Sequence, residues 1–472
     1  MKNIAKNFFY QTIFRLAKII MPIVTIPIVS NALGPDGVGL YNYTHSIAQY
    51  FVLFSGLGIT LYGNRAIALT WAKKENISRT FWEIFTFKAL ATIVFLSIYF
   101  LIVFLFMDNQ VFYIVQSLAI FAVLFDISWF FMGIEDFKKT SMSNLTVQVI
   151  TFLLIVTFIN DKNDTLLYTL IQASGMLLSQ AFVWPFLKKY ITFERVSLKR
   201  SLLRFKGSVM YFIPQVAIML YTNLNKTLVG AIVGSAAVGY YTNSLQLNDV
   251  FTTIITTLDV VLLPYMSGLF AKDNTRRIIQ MMDTTIHLQL FFSIPIMFGM
   301  LTVFDKLVPW FFGDQFLFII SVIPWLVVLI VIKPLGMSIS RQYLMPIGKI
   351  GEYNKSVIIG AIINIISNLI LLPTIGFWGV IISTIIAEFF VTFVRTRSFV
   401  KATEFNFDLR KIGSYLISGI IMCIVTRFLT TNMTASALTN IVQVLIAVPI
   451  YFGLTILLRS NPITSFIKDR KK

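Results

Sequence analysis

Charge is scarce in this sequence of 472 residues. Only 13% of the residues are charged and 57% are apolar, whereas an average globular domain has about 25% charged and about 45–50% apolar residues. This deficit excludes an ordinary soluble enzyme, a disordered tail protein and a fibrous repeat. A membrane-spanning helix needs about 20 apolar residues, so the composition predicts a polytopic helical membrane protein with almost no soluble domain.

Residues that carry catalytic or metal chemistry are also few. The single cysteine, Cys423, excludes an intrachain disulfide and a cysteine-rich metal site. His45 and His287 lie far apart in sequence, and we interpret each as a packed polar residue rather than a ligand. The sequence has no Walker motif and no cluster of His, Cys and carboxylates with metal-ligand spacing. We therefore expect a protein that is not an enzyme and that has no cofactor and no metal.

Long apolar runs account for most of the chain. Each run should be helical, because the lipid core offers no water to backbone groups. Basic connectors follow the sixth and twelfth runs, at 188–206 and 395–411. The fourteen runs lie near 11–32, 41–62, 82–106, 112–134, 143–160, 166–187, 207–231, 240–266, 284–304, 318–337, 353–373, 377–394, 412–430 and 438–458. The predicted fold class is an all-α integral membrane protein with 14 transmembrane helices.

The placement of Lys and Arg predicts the orientation of these helices. If the N-terminus is inside, the inner segments hold 31 of the 39 basic residues and the outer connectors hold two, Lys162 and Lys306. Such asymmetry is typical of cytoplasmic loops, so we expect both termini in the cytoplasm. The net charge of +18 is then explained by topology and by contact with anionic lipid, and no nucleic-acid partner is expected.

A short motif occurs twice, 200 residues apart. Residues 33–47 align without gaps on 233–247, with four identities: Gly34, Val38, Gly39 and Tyr41 match Gly234, Val238, Gly239 and Tyr241. Both copies follow the first helix of a group of six, and six is an even number, so the groups run parallel through the membrane. The repeat predicts an N-terminal lobe at 1–206, a C-terminal lobe at 207–400, and two further helices with a basic tail at 401–472, with a site between the lobes.

Ionisable residues inside the predicted spans are the candidates for function. A charge at a helix centre costs roughly 2.5–3.5 kcal/mol to insert, so it usually faces a cavity or a partner. Arg15 and Lys18 share one face of helix 1, where they either line a cavity or extend to the inner headgroups. The basic candidates for binding an anion are Arg15, Lys18, Lys88, Lys226 and Lys333, whereas Arg427 is interpreted as a packing or lipid contact.

Acidic residues and prolines complete the candidate set. We assign charge balance or ion coupling to Asp126, Asp249 and Glu388, and expect Asp126 to pair with a basic residue of helix 1 or 3 or to bind a proton or sodium ion. Asp259 and Glu83 are further acidic residues of the spans. Prolines in membrane helices mark bends, so Pro22, Pro27 and Pro214 are the predicted hinges.

Several segments together resemble a known family. They are Pro22 to Tyr41, Leu57 to Ile59, Tyr62 to Ala68, Asp126 to Trp129, Gly133 to Phe137, Phe212 to Gln215, Tyr221 with Asn225-Lys226, Val238 to Tyr241, Gln342 to Lys349, and Ala387-Glu388. Their order and spacing resemble the Wzx-type polysaccharide flippases, within the superfamily of multidrug, oligosaccharidyl-lipid and polysaccharide exporters. Two positions depart from the family pattern: Asn225 stands where an Asp often precedes the lysine, and Tyr265 where a basic residue often follows the proline.

The resemblance implies a flippase that moves undecaprenyl-diphosphate-linked oligosaccharide from the inner to the outer leaflet of a bacterial cytoplasmic membrane, for capsule, exopolysaccharide or O-antigen synthesis. It also implies a fold like that of the multidrug exporters, alternating access between two lobes, and a polymerase and glycosyltransferases as pathway partners. Two other interpretations remain open: a cation-coupled multidrug exporter of the same superfamily, and a non-transporting scaffold of a glycan-assembly complex.

Overall fold

The computed structural model describes the backbone of residues 2–73, 75–272, 274–403 and 405–462. The side chains of residues 2–20 and of Pro22, Phe137, Pro214, Val260, Val261 and Thr275 lie outside the described part. Within the described ranges the chain forms helices and no strands, which confirms the all-α prediction.

The helices follow one another through short connections. In the first half they are α1 Lys2–Gly56, α2 Ile59–Ala72, α3 Ile77–Phe106, α4 Gln110–Phe125, α5 Ser128–Gly133, α6 Phe137–Phe158, α7 Thr165–Ala181, α8 Trp184–Leu187 and α9 Leu198–Ile232. In the second half they are α10 Ser235–Ala271, α11 Thr275–Phe311, α12 Ile319–Leu326, α13 Leu329–Ser338, α14 Ile350–Ile375, α15 Phe377–Thr403, α16 Leu409–Thr430 and α17 Ala437–Leu457. A π-helical turn, Ile339–Leu344, continues α13.

The predicted spans map onto these helices in order. Twelve helical segments of the described chain are long and apolar enough to cross a membrane. One of them, Ile23–Ala72, contains the end of the first predicted span, 11–32, and the whole of the second, 41–62. Helix α9 occupies the position of the seventh, 207–231, without being among the twelve. The layout of fourteen spans is therefore compatible with the helices observed.

The first two predicted spans join in one long helix with a break. Gly34, at the predicted outer turn, has φ 65° and ψ −177° inside α1, a conformation that residues with a side chain rarely adopt. The predicted inner connector 63–81 is helical in part, because α2 extends to Ala72. Leu57 and Gly58 take positive φ values of 40° and 74° and end α1, so the chain turns and forms a second helix there.

The chain divides by its contacts into two compact units, Met1–Gly239 and Tyr240–Lys472. The first has a core around Phe81, Trp129 and Phe130, and the second a core around Phe291, Tyr415 and Tyr451. Helix α9 packs against α1, α2 and α3 and so belongs to the first unit. The lobes 1–206 and 207–400 were defined by the sequence repeat and not by contacts, so the boundary between them at 206/207 stays a prediction.

The two copies of the repeated motif touch each other inside the first unit. A side chain at Gly39 would collide with the backbone of Ser235, and one at Gly239 would collide with the backbone of Pro35. Positions 35 and 235, like 39 and 239, correspond in the two copies, so the contact is reciprocal. Ser235 Oγ also lies 3.3 Å from Asp36 Oδ1. The two glycines permit backbones to approach more closely than any side chain would allow.

Helices α16 and α17 form a hairpin that packs on α11. The Tyr451 hydroxyl donates a hydrogen bond to the Phe291 carbonyl at 2.9 Å, and Gly419 allows close approach to Phe298. The opposite faces of both helices expose large apolar side chains, among them Phe428 and Leu445. This arrangement suits helices that meet lipid on one side.

Candidate functional site: charge clusters inside the membrane helices

In the first unit, Lys88 of α3 meets Asp126 at the break between α4 and α5. The Lys88 ammonium lies 3.9 Å from the Asp126 carboxylate and donates a hydrogen bond to the Asp126 main-chain carbonyl. Of the two alternatives that the sequence left open for Asp126, the structure therefore shows the pairing with a basic residue of helix 3. We name Lys88 and Asp126 the first-unit pair.

The first-unit pair also completes the hydrogen bonding of the helix break. The Asp126 carboxylate accepts from the backbone N–H of Ser128 at 2.9 Å, and the Trp129 indole donates to the Asp126 carbonyl at 3.0 Å. Lys88 is only 1% exposed, so water does not reach its ammonium. Buried backbone groups without partners are costly, and Lys88 therefore stabilises a non-helical turn within the predicted fourth span.

A second ion cluster lies close to the first-unit pair in sequence, at the start of α3. Arg204 of α9 donates two hydrogen bonds to Glu83 Oε2, from Nη2 at 2.6 Å and from Nε at 3.1 Å. Tyr62 accepts a third at 3.3 Å, and Arg79 lies 3.4 Å from the other Glu83 oxygen. Burial lowers the pKa of Arg204, but hydrogen bonds to Tyr62 and Glu83 outweigh it and raise that pKa overall. The cluster fastens α9 to α2 and α3.

Lys226 lies on α9 beside a polar network that joins α9 to α1. Thr227 Oγ1 lies 2.9 Å from Ser46 Oγ and 3.1 Å from the Tyr50 hydroxyl, and the Asn223 amide donates to the Ser46 carbonyl at 2.7 Å. Lys226 is half-buried and is close enough to the His45 ring to act on it electrostatically. The network gives this part of α1 and α9 a polar interior.

His45 is a packed polar residue, as its sequence context predicted. Its ring nitrogens lie 3.2 Å from the Gln116 oxygen and 3.0 Å from the Gln49 nitrogen, and the ring stacks on Tyr41 with centroids 5.5 Å apart. His287 is likewise buried, 3.6 Å from Asp283. Among the described residues, no group of three or more His, Cys, Asp or Glu side chains is arranged to hold a metal ion.

In the second unit, three of the sequence-predicted residues come together. Lys333 of α13 lies 3.3 Å from Asp249 of α10 and 3.5 Å from Glu388 of α15. A hydrogen bond of 3.0 Å between Tyr241 and Thr384 joins α10 and α15 as well. We name Lys333, Asp249 and Glu388 the second-unit triad.

The second-unit triad differs from the first-unit pair in charge and in access. With both carboxylates ionised it carries one negative charge in excess. The Asp249 side chain is 61% exposed, whereas those of Lys333 and Glu388 are 18% and 13% exposed. Asp249 can therefore leave Lys333 for water at little cost, while Glu388 stays beside it. The arrangement can present Lys333 to an anion that replaces Asp249.

A buried carboxylate that sequence reasoning left without a role lies elsewhere in the second unit. Asp259 of α10 is 0% exposed, and its Oδ1 accepts hydrogen bonds of 2.6 Å from both Gln289 and Gln342. Gln342 in turn accepts from Thr285 at 2.7 Å. The network joins α10, α11 and the π-helical turn, and it concentrates polar groups in an otherwise apolar core.

Four predicted site residues have side chains outside the described part: Arg15, Lys18, Pro22 and Pro214. Pro27 is half-buried in α1, and its carbonyl accepts from the Asn31 amide at 2.8 Å. Arg427 pairs with Asp305 at 3.5 Å and donates to the Leu301 carbonyl at 3.1 Å, which confirms its interpretation as a packing contact.

Comparisons with known proteins agree with this picture. Residues 4–270 match the family described as "Polysaccharide biosynthesis protein". The chain is 22% identical over 287 residues to a protein of Escherichia coli (strain K12) named as an O-antigen transporter, covering 59% of this chain and 68% of that one. It is also 22% identical over 293 residues to a Haloferax volcanii protein named as the low-salt glycan biosynthesis flippase Agl15. That alignment covers 62% of this chain and 60% of the relative.

Solved structures share the fold. A structure of the lipid II flippase MurJ in an inward closed conformation superposes with a TM-score of 0.77 at 15% identity, over 96% of this chain and 99% of that chain. An inward-facing multidrug resistance MATE family transporter superposes with a TM-score of 0.61 at 15% identity, over 83% and 98%. The chain belongs to the polysaccharide biosynthesis protein family, and it is a multi-pass helical membrane protein with the fold of the MurJ and MATE transporters, as its resemblance to the polysaccharide flippases implied.

Proposed function

We propose that this protein moves undecaprenyl-diphosphate-linked oligosaccharide from the inner to the outer leaflet of the bacterial cytoplasmic membrane, for capsule, exopolysaccharide or O-antigen synthesis. The family match supports a role in polysaccharide synthesis, and the names of the relatives support transport of a glycan. The observation that carries the proposal is Lys333, a cation among apolar helices whose exposed partner Asp249 can be displaced.

The anionic diphosphate binds by exchange with Asp249. Lysine is a compact point charge that binds phosphate groups well, and charge-assisted hydrogen bonds are roughly twice as strong as neutral ones. In the empty site Asp249 and Glu388 neutralise Lys333. When the substrate arrives, the diphosphate takes the place of Asp249, and Asp249 is solvated or protonated. This exchange keeps Lys333 paired throughout and lowers the cost of an empty site.

Arg15, Lys18 and Lys226 are the further cations of the proposed binding set. Lys88 belongs to that set by its sequence position, but its burial and its bond to the Asp126 carbonyl favour a positioning role. The lobes at 1–206 and 207–400 alternate access by bending at Pro22, Pro27 and Pro214. With both termini in the cytoplasm, an inside-negative potential drives an anion outward by about 2.3 kcal/mol per charge per 100 mV.

A cation-coupled multidrug exporter is the second candidate. The observation that favours it is the excess negative charge of the second-unit triad, since Asp249 and Glu388 are groups that hold a cationic drug or a coupling ion. On that model Asp249 is essential and Lys333 is dispensable, which is the reverse of the flippase model. A non-transporting scaffold for the polymerase and glycosyltransferases would tolerate both changes.

Glycan export in a strain that lacks its own flippase tests these alternatives. We expect Lys333→Met to abolish export with normal amounts of protein in the membrane, Lys333→Arg to retain part of it, and Asp249→Asn to retain most of it. Arg15→Ala and Lys226→Ala should also abolish export. Arg427→Ala, which removes an ion pair between α16 and α11, is the control and should export normally.

The outcomes separate the three functions. Export at the wild-type rate by Lys333→Met would contradict the flippase mechanism. If the wild-type chain does not restore glycan export, and drug efflux is lost with Asp249→Asn but not with Lys333→Met, the drug exporter is favoured. If both variants complement, and only variants that fail to reach the membrane do not, the scaffold model is favoured.

A further inference from the structure

The carboxyl group of Asp259 has an uneven set of hydrogen bonds. Its Oδ1 accepts from the Gln289 and Gln342 amides, both at 2.6 Å. Its Oδ2 has no hydrogen-bond partner in the part of the chain that the structure describes. The residue is 0% exposed, and a buried polar atom without a partner is costly. The ionised form would thus leave negative charge on a buried oxygen that no hydrogen bond stabilises.

A second buried oxygen without a partner belongs to an amide that already contacts Asp259. Gln289 is 3% exposed and donates from Nε2 to Asp259 Oδ1, while its own Oε1 has no donor among the described residues. Gln342 differs, because its Oε1 accepts from the Thr285 hydroxyl at 2.7 Å. Asp259 Oδ2 and Gln289 Oε1 are both acceptors when the carboxyl group is ionised, so they cannot satisfy each other in that state.

One proton satisfies both oxygens. When it adds to Asp259 Oδ2, an O–H bond forms, the carboxylate becomes a neutral acid, and the new hydroxyl can donate to Gln289 Oε1. Oδ1 is then the carbonyl oxygen, whose two lone pairs accept the two amide N–H groups. The terminal torsions of Asp and Gln side chains are broad, so the hydroxyl and Oε1 can align while the bond from Nε2 to Oδ1 is kept. The two hydrogen bonds close a ring between a carboxylic acid and a primary amide.

The surroundings of Asp259 favour a proton over a metal cation. Arg341, half-buried on the π-helical turn, is the charged residue that acts on Asp259 electrostatically, but it donates no hydrogen bond to Oδ2. Ser338 of α13 also lies close to Asp259, and its hydroxyl forms no hydrogen bond with the described residues. Hard divalent cations take about six or more oxygen ligands, whereas two N–H groups already point at this carboxyl group.

We propose that Asp259 is a proton-binding site of the second unit, in which the bound proton bridges Asp259 Oδ2 and Gln289 Oε1. The acid–amide ring joins α10 to α11, and the bond from Gln342 adds the π-helical turn, a kind of turn that is frequent at functional sites. Loss of the proton puts negative charge against the Gln289 oxygen, breaks the ring and loosens α10 from α11 at this point. The site is separate from the second-unit triad, where Lys333 neutralises the carboxylates.

Infrared spectroscopy of the purified full-length chain in detergent tests the proposal, because a protonated carboxylic acid has a carbonyl stretching band that an ionised carboxylate lacks. At neutral pH the wild type should show this band, shifted in heavy water, and Asp259→Asn should lose it. Gln289→Leu should move the band to higher frequency, since the acid loses one hydrogen bond at each oxygen. This variant keeps Asp259, so it tests the ring even if Asp259→Asn does not fold.

Two variants are matched controls that should keep the band at its wild-type frequency. Asp249→Asn removes an exposed carboxylate from the same helix, and Ser338→Ala removes a buried hydroxyl beside Asp259. A change of the band in either control would overturn the proposal, because the proton or its acceptor would then lie elsewhere.

Three further results would overturn the proposal. They are absence of the band from the wild type at neutral pH, its persistence in Asp259→Asn, and an unchanged frequency in Gln289→Leu. Loss of the band when sodium chloride replaces choline chloride would also overturn it, by assigning the site to sodium. Because the readout is protonation of one side chain rather than glycan export, it is independent of the test of Lys333.

Discussion

The two units of the chain each hold a lysine against carboxylates inside apolar helices, but they treat that lysine differently. Lys88 is buried, with 1% of its surface exposed, and it donates a hydrogen bond to a main-chain carbonyl at a helix break. Lys333 has a side chain 18% exposed and shares two carboxylates, one of them 61% exposed. A charge that ligands must reach needs a partner that can leave, whereas a charge that holds the fold needs partners that cannot. By this criterion Lys333 is the stronger candidate for binding and Lys88 for structure.

The largest effect on stability is expected from the first-unit pair. Lys88→Met leaves the Asp126 carboxylate and its carbonyl without their cation, and breaking a buried pair in this way costs about 3–5 kcal/mol. The 21% exposure of Asp126 places the cost near the lower limit, at about 3 kcal/mol. Thermal unfolding in detergent measures it, with the exposed Lys349→Met as control. Unchanged stability together with lost export would instead place Lys88 in the binding site.

A loss of similar size is expected at Asp259, which tests whether a fully buried carboxyl group in the second unit is structural as well. Asp259→Leu leaves the Gln289 and Gln342 amides without an acceptor, at about 1–3 kcal/mol for each buried donor. Asp259→Asn keeps an oxygen that accepts both hydrogen bonds and should retain most of the stability. If both variants unfold at the same temperature as the wild type, the network does not hold α10 to α11.

The second-unit triad should show the opposite balance between stability and function. In Lys333→Met the exposed Asp249 is hydrated, so loss of that pair costs no more than about 1 kcal/mol. The less exposed Glu388 carboxylate also loses its cation and accounts for the rest of the destabilisation, alongside the loss of export proposed above. Glu388→Gln in the same background should restore that part, because it removes the less exposed unpaired carboxylate. A loss as large as that of Lys88→Met that Glu388→Gln does not restore would remove the distinction between the two units.

The smallest effect is expected outside the membrane, at the start of α16. The Asp408 carboxylate accepts from the Lys411 backbone N–H at 3.1 Å, and this bond lowers the pKa of Asp408. A lowered pKa in the folded state stabilises above the unfolded pKa of about 3.9, and the contribution disappears as pH falls through the folded value. Asp408→Ala should therefore cost about 0.5–1 kcal/mol at pH 7, and less at an acidic pH where the folded-state carboxyl is protonated. Equal costs at both pH values would contradict this assignment.

Sequence predicted the features that depend on length, hydropathy and local order. The long apolar runs form helices because a run of about 20 apolar residues has few alternatives in lipid. The cost of a lone intramembrane charge limits Asp126 to a basic partner or a bound proton or sodium ion, and the structure shows the partner. The helix break at that residue was not predicted, since the apolar run continues through it. Its stabilising contacts come from α3, 38 residues earlier in the chain.

The interactions that sequence reasoning missed all join distant segments. Asp259 meets Gln289 and Gln342 from 30 and 83 residues away, and Arg204 meets Glu83 from 121 residues away. Glutamine carries no charge and little hydropathy signal, so nothing in the pattern of the spans indicates a partner. Arg204 was counted with the cytoplasmic connector, where a basic residue is explained by topology alone. Only the packing of the helices shows that these residues have a second role.

The reciprocal contact between the two copies of the repeated motif has the form of a homodimer interface. In a two-fold dimer, residue i of one subunit meets residue j of the other, and j meets i. Gly39 meets Ser235 and Gly239 meets Pro35 in that same pattern, within one chain. The surface of the first copy is therefore complementary to the surface of the second. The sequence of each copy must suit its own helix and also the contact with the other copy. A side chain at either glycine would meet the backbone of the other copy, so an alanine at Gly39 or at Gly239 should force the two copies apart.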